Sequence, residues 1–286
     1  MKQFSKKNIA IIGVGLIGGS FALRLHEKKL AHQLIGVEAD EQHAQQALEL
    51  ELVDHICSLE EAIKEADVLL LTIPVNEICD LLPSILDQIS GQQIVLDAGS
   101  TKEAITRSIK DHPNRKRFVP THPMWGTEHR GPGAAVQTAF QSKSVVICDT
   151  ADCDTDALEW VIHMYEKIGM QVLEMTAKEH DIHTAYISHI SHITSFALAN
   201  TVLAKEQEAK TIFDLASSGF ESTVRLAKSN PGMWLPILLQ NKDNITEVLD
   251  EHIKQLHAFR TAITGAESEQ LLQLILKANQ IKKILK

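Results

Sequence analysis

The sequence is short of cysteine and of positive charge. Its four cysteines form no CxxC pair and are too few for a disulfide framework. Lysine and arginine number 28 against 37 aspartates and glutamates, so the formal net charge is −9, and no basic tract interrupts this acidic balance. We therefore expect neither nucleic acid nor an anionic membrane surface as the main partner.

Signals for secretion and for membrane insertion are also missing. The first residues lead into a short apolar run and contain no signal-peptide cleavage pattern. Residues 182–204 carry no Asp, Glu, Lys or Arg, but His183, His189, His192 and several serines and threonines make them too polar for hydrocarbon. This stretch predicts a buried helix, and the chain as a whole is expected to be cytoplasmic.

Up to about residue 173, short apolar runs alternate with amphipathic segments. Continuous apolarity in a short run indicates a strand that is covered on both faces, as in a parallel sheet. The runs are residues 9–12, 34–37, 68–71, 94–96, 118–119 and 145–147. The alternation predicts a doubly wound α/β domain over residues 1–173.

Beyond residue 174 the strand signal stops and helical periodicity takes over. Apolar residues recur every three to four positions in three stretches, as on one face of a helix. These stretches are Ile182 to Ala197, Ile245 to Leu256 and Leu271 to Leu285. We predict an all-α domain over residues 174–286, whose apolar faces pack either within one chain or across a dimer.

A glycine-rich segment, Gly13-Val14-Gly15-Leu16-Ile17-Gly18, directly follows the first predicted strand and opens a predicted helix. This context makes the GxGxxG pattern a dinucleotide-binding fingerprint. The first glycine permits a tight turn, the second lets a pyrophosphate approach the backbone, and the third allows close packing of helix on strand. A purely structural glycine turn is the alternative.

The next candidate is Glu38, which stands at the end of the second predicted strand, twenty residues after Gly18. A carboxylate there accepts from both ribose hydroxyls and repels a 2′-phosphate. No arginine lies between Gly36 and Gln46 to favour that phosphate, so NAD is preferred over NADP. Asp40 is an alternative for the same role.

Two polar segments follow later strands. Ser100 and Glu103 have the spacing of a capping box, which predicts a helix N-cap. Ser100 also lies at the carboxyl end of a strand, where ligands bind in open α/β sheets, and the two interpretations stay open. His122 precedes a proline and ends a strand, where a neutral imidazole suits a general base; a structural histidine is the alternative.

In the helical half, His189 and His192 lie three residues apart, on one face of a predicted helix. No HExxH motif or cysteine cluster accompanies them, so we expect no metal. Polar core and substrate pocket are both open for them. Arg225 suits bidentate recognition of a carboxylate, although a solvated arginine is the default, and Trp234 suits either core or ligand contact.

Taken together, these segments resemble the prephenate/arogenate dehydrogenase family of tyrosine biosynthesis. The resemblance spans nearly the whole chain, and five motifs in order are more specific than any one of them. They lie at residues 13–18, 97–102, 122–128, 188–192 and 219–234.

This resemblance implies a Rossmann-like domain followed by a helical domain that dimerises. It implies NAD-dependent oxidative decarboxylation of prephenate, with His122 as the catalytic residue and Ser100 in contact with the same substrate hydroxyl. The implied substrate site consists of Ser100, Thr127, Glu128, His189, His192, Arg225 and Trp234. The implied cofactor site consists of Gly13, Val14, Gly15, Leu16, Ile17, Gly18, Glu38 and Pro74. Lys102 or Arg130 is expected to assist Arg225 with the substrate carboxylates.

Three alternative hypotheses accompany this interpretation of the protein as a prephenate dehydrogenase. The first is an arogenate dehydrogenase. The second is a β-hydroxyacid dehydrogenase or imine reductase, which also joins a Rossmann domain to a helical one but lacks the His122 loop. The third is a regulator that binds NAD without turnover.

Overall fold

The computed structural model describes residues 5–209 and 211–284. Within these residues, six parallel strands form one sheet in the order β3-β2-β1-β4-β5-β6. The strands are β1 (Lys7–Ile12), β2 (Ala31–Val37), β3 (His55–Ile56), β4 (Val68–Leu71), β5 (Ile94–Asp97) and β6 (Phe118–Val119). The helices between and after them are α1 (Leu16–Lys28), α2 (Glu41–Glu49), α3 (Leu59–Glu65), α4 (Val75–Gln88) and α5 (Glu103–Ser108). This strand order is that of a Rossmann sheet, and the predicted doubly wound fold is confirmed.

Burial explains why the apolar runs are strands. In β1, Ile9 and Ile11 pack into one apolar cluster, which includes Phe21 of α1. Their neighbours Ala10 and Ile12 pack into a second cluster on the opposite face of the sheet. Because successive side chains of a strand point to opposite faces, both faces demand apolar residues and the run becomes continuous.

A second sheet of three strands was not predicted. It consists of β7 (Thr121–Pro123), β8 (Ser144–Cys148) and β9 (Gln171–Met175), with β7 antiparallel and β9 parallel to β8. The expectation that residues 145–147 continue the parallel sheet is therefore wrong. Pro120 alone separates β6 from β7, and its carbonyl accepts a hydrogen bond from Cys148 N, which directs the chain toward β8. Helix α6 (Thr155–Ile168) connects β8 to β9.

Every described element after β9 is helical. The helices are α7 (Ala177–Thr184), α8 (Ile190–Ala209), α9 (Ser218–Val224), α10 (Pro231–Gln240), α11 (Lys242–Thr264) and α12 (Ser268–Ala278). A π-helical turn, Ala185–His189, lies between α7 and α8. The domain limits at residues 1 and 286, and the apolar position Leu285, lie outside the described residues. None of the described helices is both long and apolar enough to cross a membrane.

Candidate active site

The glycine-rich loop links β1 to α1 at the point where the strand order reverses. Gly13 has a φ of +93°, a backbone conformation that glycine adopts at little cost. A Cβ on Gly18 would collide with the carbonyl oxygen of Gly13, whereas a Cβ on Gly15 would meet nothing within 4 Å. The loop is therefore tight at its first glycine, close-packed at its third and open at its second, where a pyrophosphate would approach.

The start of α1 is suited to an anion. The first amide that bonds within the helix is that of Gly19, which donates to Gly15 O. The amides of Leu16 and Ile17 consequently have no intrahelical partner, and no acidic residue lies in the first turn. Just after β4, the Thr72 hydroxyl donates to Gly13 O at 2.6 Å. Two residues later, Pro74 is the N-cap of α4.

Glu38 and Asp40 have different contacts. One oxygen of Glu38 accepts from Val14 N at 2.9 Å, which places this carboxylate directly beside the glycine loop. Asp40 instead caps α2 by accepting from the backbone amides of Gln42 and His43. The other oxygen of Glu38 accepts from Asp40 N at 3.2 Å, so the Glu38 carboxylate is held beside the glycine loop and the Asp40 carboxylate at the start of α2.

His122 lies in β7 rather than in the parallel sheet, yet it stands beyond the carboxyl end of β5. Thr121 joins the two, since its amide donates to Asp97 Oδ1 at 3.0 Å and its hydroxyl donates to Asp97 O. The His122 side chain is partly buried. The histidine therefore reaches the edge of the sheet where a ligand binds, as expected, but on a different strand.

A chain of hydrogen bonds runs from His122 into the helical half. His122 Nδ1 lies 2.8 Å from His180 Nε2, and His180 Nδ1 lies 2.8 Å from Asp181 Oδ1. Burial, with His180, Lys102 and His189 nearby, lowers the pKa of His122 well below 6.5. Burial also lowers the pKa of His180 below its usual value, although Asp181 opposes this.

Asp181 also replaces the predicted capping box. Helix α5 begins at Glu103, and the side chain of its N-cap residue, Lys102, makes no capping hydrogen bond. The Asp181 carboxylate accepts from the amides of Lys102 and Glu103, at 2.8 and 2.9 Å. The prediction of a Ser100 N-cap is therefore wrong, because a carboxylate from α7 occupies that position. Ser100 is partly buried in the loop after β5. Its neighbours are both hydrogen-bonded, since Gly99 N donates to the Asp97 carboxylate and the Thr101 hydroxyl donates to Gln240 Oε1.

Lys102 is not available to a substrate carboxylate. Its ammonium group is fully buried, forms an ion pair with Asp97 and donates to Thr121 O at 2.9 Å. The expectation that Lys102 assists Arg225 is wrong. A buried ammonium needs a counter-ion, and Asp97 provides it inside the protein.

His189 and His192 meet on the indole ring of Trp234. The ring of His192 stacks on the indole with centroids 3.5 Å apart, and that of His189 approaches it edge-on at 5.9 Å. His189 accepts from Asn241 Nδ2, and burial lowers the pKa of His189 to about 4. The π turn that ends at His189 alters the helical spacing here, a feature often found at functional sites.

Trp234 carries the one polar group of this cluster that is buried without a hydrogen bond to the described residues. It is 6% exposed, and its indole Nε1 is buried with no hydrogen-bond acceptor among the described residues. Both imidazoles beside it are neutral near pH 7, because burial lowers the pKa of His192 as well.

Arg225 and Glu128 join the loop after β7 to the helical half. Their side chains form an ion pair at 3.1 Å, in which Arg225 is 52% exposed and Glu128 22% exposed. They stand beside a cleft of about 680 Å³, which Glu128, Arg130 and Lys228 line with Asn230. Thr127 shapes the loop by accepting from His129 N at 3.2 Å.

The bulky residues after His-Pro face inward rather than into this cleft. Met124 packs against the small apolar cluster of Val146, Cys148 and Ala177. Trp125 packs edge-on against Phe140, with ring centroids 5.8 Å apart. Their size therefore contributes to the core beneath the loop.

His180 and Asp181 are the two site residues that the sequence patterns missed. They lie in a charged stretch that is typical of an exposed helix. However, the buried residues of α7 are Ala177, His180, Asp181 and Thr184, which repeat at helical spacing along one face. A search for one polar face at that spacing, rather than for apolar periodicity, would have found them.

Comparison with known proteins identifies the family. A model of the prephenate dehydrogenase nucleotide-binding domain matches residues 21–174, and a model of the prephenate dehydrogenase dimerization domain matches residues 176–277. A cyclohexadienyl dehydrogenase of Zymomonas mobilis is 30% identical over 283 residues, which is 98% of this chain and 96% of that protein.

Two solved structures are similar over nearly their full length. The prephenate dehydrogenase of A. aeolicus, in complex with hydroxyphenyl propionate and NAD+, has a TM-score of 0.90 and 28% identity, with 99% of each chain covered. The arogenate dehydrogenase of Synechocystis has a TM-score of 0.75 and 26% identity, with 98% of this chain and 100% of that one covered. The chain therefore belongs to the prephenate dehydrogenase family of oxidoreductases.

Proposed function

We propose that this protein catalyses the NAD-dependent oxidative decarboxylation of prephenate to 4-hydroxyphenylpyruvate in tyrosine biosynthesis. The observation that carries the proposal is His122, a partly buried histidine with a lowered pKa at the edge of the sheet where a nucleotide binds. A neutral imidazole there has the form that a general base for an alcohol requires.

The glycine loop and its surroundings fit NAD. Gly15 leaves the space that a pyrophosphate needs, the amides of Leu16 and Ile17 are free for phosphate oxygens, and Glu38 suits a ribose diol. Bound NAD+ would supply the acceptor for the hydride that leaves C4 of the substrate ring. The shape of this NAD pocket also depends on Gly13, Val14, Gly18 and Pro74.

The chain's own residues account for the proton and for substrate binding. His122 Nε2 accepts the proton of the 4-hydroxyl group as the hydride leaves the same carbon. Loss of the ring carboxylate as carbon dioxide then places its electron pair in the ring, and the phenolate oxygen recovers the proton from His122. Arg225 binds the side-chain carboxylate, and Ser100 contacts the 4-hydroxyl. Thr127, Glu128, His189, His192 and Trp234 complete the pocket.

Arogenate is a second candidate substrate, and Glu128 favours it. A backbone hydrogen bond and the pairing with Arg225 both lower the pKa of Glu128, so this carboxylate is charged beside the arginine. An amino-acid end group carries both an ammonium and a carboxylate, and such a pair of opposite charges is suited to hold it. The two substrates differ only in this end group.

The test is a paired assay of the purified protein with prephenate or arogenate and with NAD+ or NADP+, following reduced cofactor at 340 nm. We expect turnover with prephenate and NAD+, and a loss of about 100-fold or more in kcat for His122→Asn. Absence of turnover with either substrate would refute the proposal and favour a non-catalytic regulator. A His122→Asn variant with normal kcat would refute the role of this residue.

We further propose that residues 1–173 form the nucleotide-binding domain and that residues 174–286 form a helical domain for substrate binding and homodimerisation, in a cytoplasmic enzyme. Support comes from large apolar side chains left exposed on α10 and α11. Leu235, Leu239 and Ile263 are 60, 62 and 64% exposed in the single chain. Sedimentation equilibrium should give twice the 31.7 kDa mass of the chain, and a monomer at micromolar concentration would contradict the dimer.

A further inference from the structure

A two-residue relay lies behind His122, and it comes from the other half of the chain. His180 and Asp181 are consecutive residues of α7, and they are 0 and 2% exposed. His180 contacts His122 on one side and Asp181 on the other, at 2.8 Å in both cases. None of the sequence motifs contains these residues.

We propose that His180 and Asp181 are positioning residues that hold His122 in the tautomer with its lone pair on Nε2 and that take up the positive charge when His122 accepts the substrate proton. This inference rests on the proposed role of His122 as the base. It adds two residues from the helical half to the reaction.

The tautomers follow from the order of the hydrogen bonds. Asp181 accepts only, so His180 carries its hydrogen on Nδ1 and presents the lone pair of Nε2 to His122. His122 must then donate through Nδ1, which leaves Nε2 as the lone-pair nitrogen. A neutral histidine with no such partner populates both tautomers, and only one of them accepts a proton at Nε2.

The same contacts stabilise the protonated state. When Nε2 of His122 gains a proton, the imidazolium donates through Nδ1 to His180, which donates in turn to the Asp181 carboxylate. The positive charge is thereby shared along a chain that ends in a buried anion. Charge-assisted hydrogen bonds of this kind are about twice as strong as neutral ones.

Asp181 is held firmly enough for this role. Its two oxygens accept from the amides of Lys102 and Glu103 at the start of α5, and its carbonyl accepts from Asn241 Nδ2 at 2.7 Å. The relay therefore forms only when α7 is seated against α5. Its geometry depends on the packing between the two halves of the chain.

Other charges around His122 do not substitute for this anion. Lys102 faces it and opposes its protonation, whereas the nearby His189 is neutral near pH 7. The Asp97 carboxylate forms an ion pair with Lys102. On the strand side, His122 pairs with Val146 of β8, which is apolar. Asp181 is thus the counter-charge that reaches His122 through an unbroken chain of hydrogen bonds.

Two substitutions of His180 separate the relay from simple packing. His180→Leu fills the buried site but removes the acceptor, whereas the amide oxygen of His180→Gln can still accept from His122 Nδ1. We expect kcat to fall about 100-fold in His180→Leu with KM within about threefold, and to recover about tenfold in His180→Gln. Equal kcat in wild type and His180→Leu would overturn the inference. So would equal loss in both variants.

Asp181→Asn tests the charge. Without the carboxylate the relay is harder to protonate, so the acid limb of kcat/KM should move to lower pH while the plateau falls. A residue that only caps α5 would lower the melting temperature and leave the position of this limb unchanged. That result would overturn the inference.

A spectroscopic readout requires neither prephenate nor turnover. Long-range proton–nitrogen correlation spectra of histidine-labelled protein report the tautomer of His122, whose signals are assigned from His122→Asn. We expect Nδ1–H in the wild type and a gain of the Nε2–H form in His180→Leu. Nε2–H in the wild type would refute the relay even if the enzyme oxidises prephenate. Failure to oxidise either substrate would refute the proposed function while leaving the tautomer measurable.

Discussion

Lys102 and Asp97 form an ion pair from which water is excluded, since both side chains are 0% exposed. The pair does more than neutralise two charges. Lys102 also donates to Thr121 O, and Asp97 accepts from Thr121 N, so both partners hold the residue that precedes His122. The position of His122 therefore depends on a buried ion pair that holds the residue before it.

Removing one partner of this pair should destabilise the fold. Lys102→Met leaves the Asp97 carboxylate buried without its counter-ion, and we expect a loss of about 3–5 kcal/mol in the free energy of unfolding. Urea denaturation followed by circular dichroism measures it. The double variant Lys102→Met/Asp97→Asn is the control, because the lost energies of a coupled pair do not add. Simple additivity of the single losses would contradict the coupling.

Gly15 and Gly18 should respond to alanine in opposite ways. Gly18→Ala places a methyl group against Gly13 O, so it should reduce both stability and NAD+ affinity. Gly15→Ala meets no protein atom within 4 Å, so the melting temperature should stay within about 2 °C while NAD+ affinity falls about tenfold or more. Calorimetric titration and thermal unfolding give the two values. Unchanged affinity in Gly15→Ala would show that the pyrophosphate lies elsewhere.

Local patterns predicted the parts of the molecule that local chemistry determines. The glycine loop, the run 68–71 and His122 before Pro123 each have a short sequence signature. The loop follows β1, the run is strand β4, and His122 lies at the carboxyl edge of the sheet, although on a strand of the second sheet. The second sheet was not predicted because, after Pro120, the chain pairs with β8 instead of continuing beside β5. Such a change of pairing strand leaves no periodic pattern in the sequence. The capping box failed for a related reason, since Asp181 competes with Ser100 for the amides of α5 from far away in sequence.

The acid limb of kcat/KM should lie below pH 6.5. Burial lowers the pKa of His122, of its neighbours His180 and His189, and of His192, so the neutral form of His122 persists as the pH falls through 6.5. Activity then drops about tenfold per pH unit below the lowered pKa. Initial rates between pH 4.5 and 8 with limiting prephenate measure it. A limb centred above pH 6.5 would contradict a neutral cluster.

Arg225 should contribute to substrate affinity more than to turnover. Its guanidinium is half exposed and pairs with Glu128 at 3.1 Å, so a substrate carboxylate can replace Glu128 as its partner. Arg225→Ala should raise KM about tenfold or more with kcat nearly unchanged, and Arg225→Lys should restore little, because lysine lacks the bidentate fork. Lys228→Ala is the matched control, because Lys228 lines the cleft that Glu128, the partner of Arg225, also lines. An equal rise of KM in the two alanine variants would show that the positive charge at the cleft attracts the substrate in general, without a specific contact to Arg225.

Trp234→Phe should separate two properties of the indole, namely its ring and its N–H. The ring stacks on His192 at 3.5 Å, and phenylalanine retains an aromatic face there. The N–H is buried without an acceptor among the described residues, a condition that costs about 1–3 kcal/mol unless a ligand or water accepts it. If substrate provides that acceptor, KM rises about tenfold in Trp234→Phe while the melting temperature stays equal or increases. An unchanged KM with a higher melting temperature would show that Trp234 contributes packing alone.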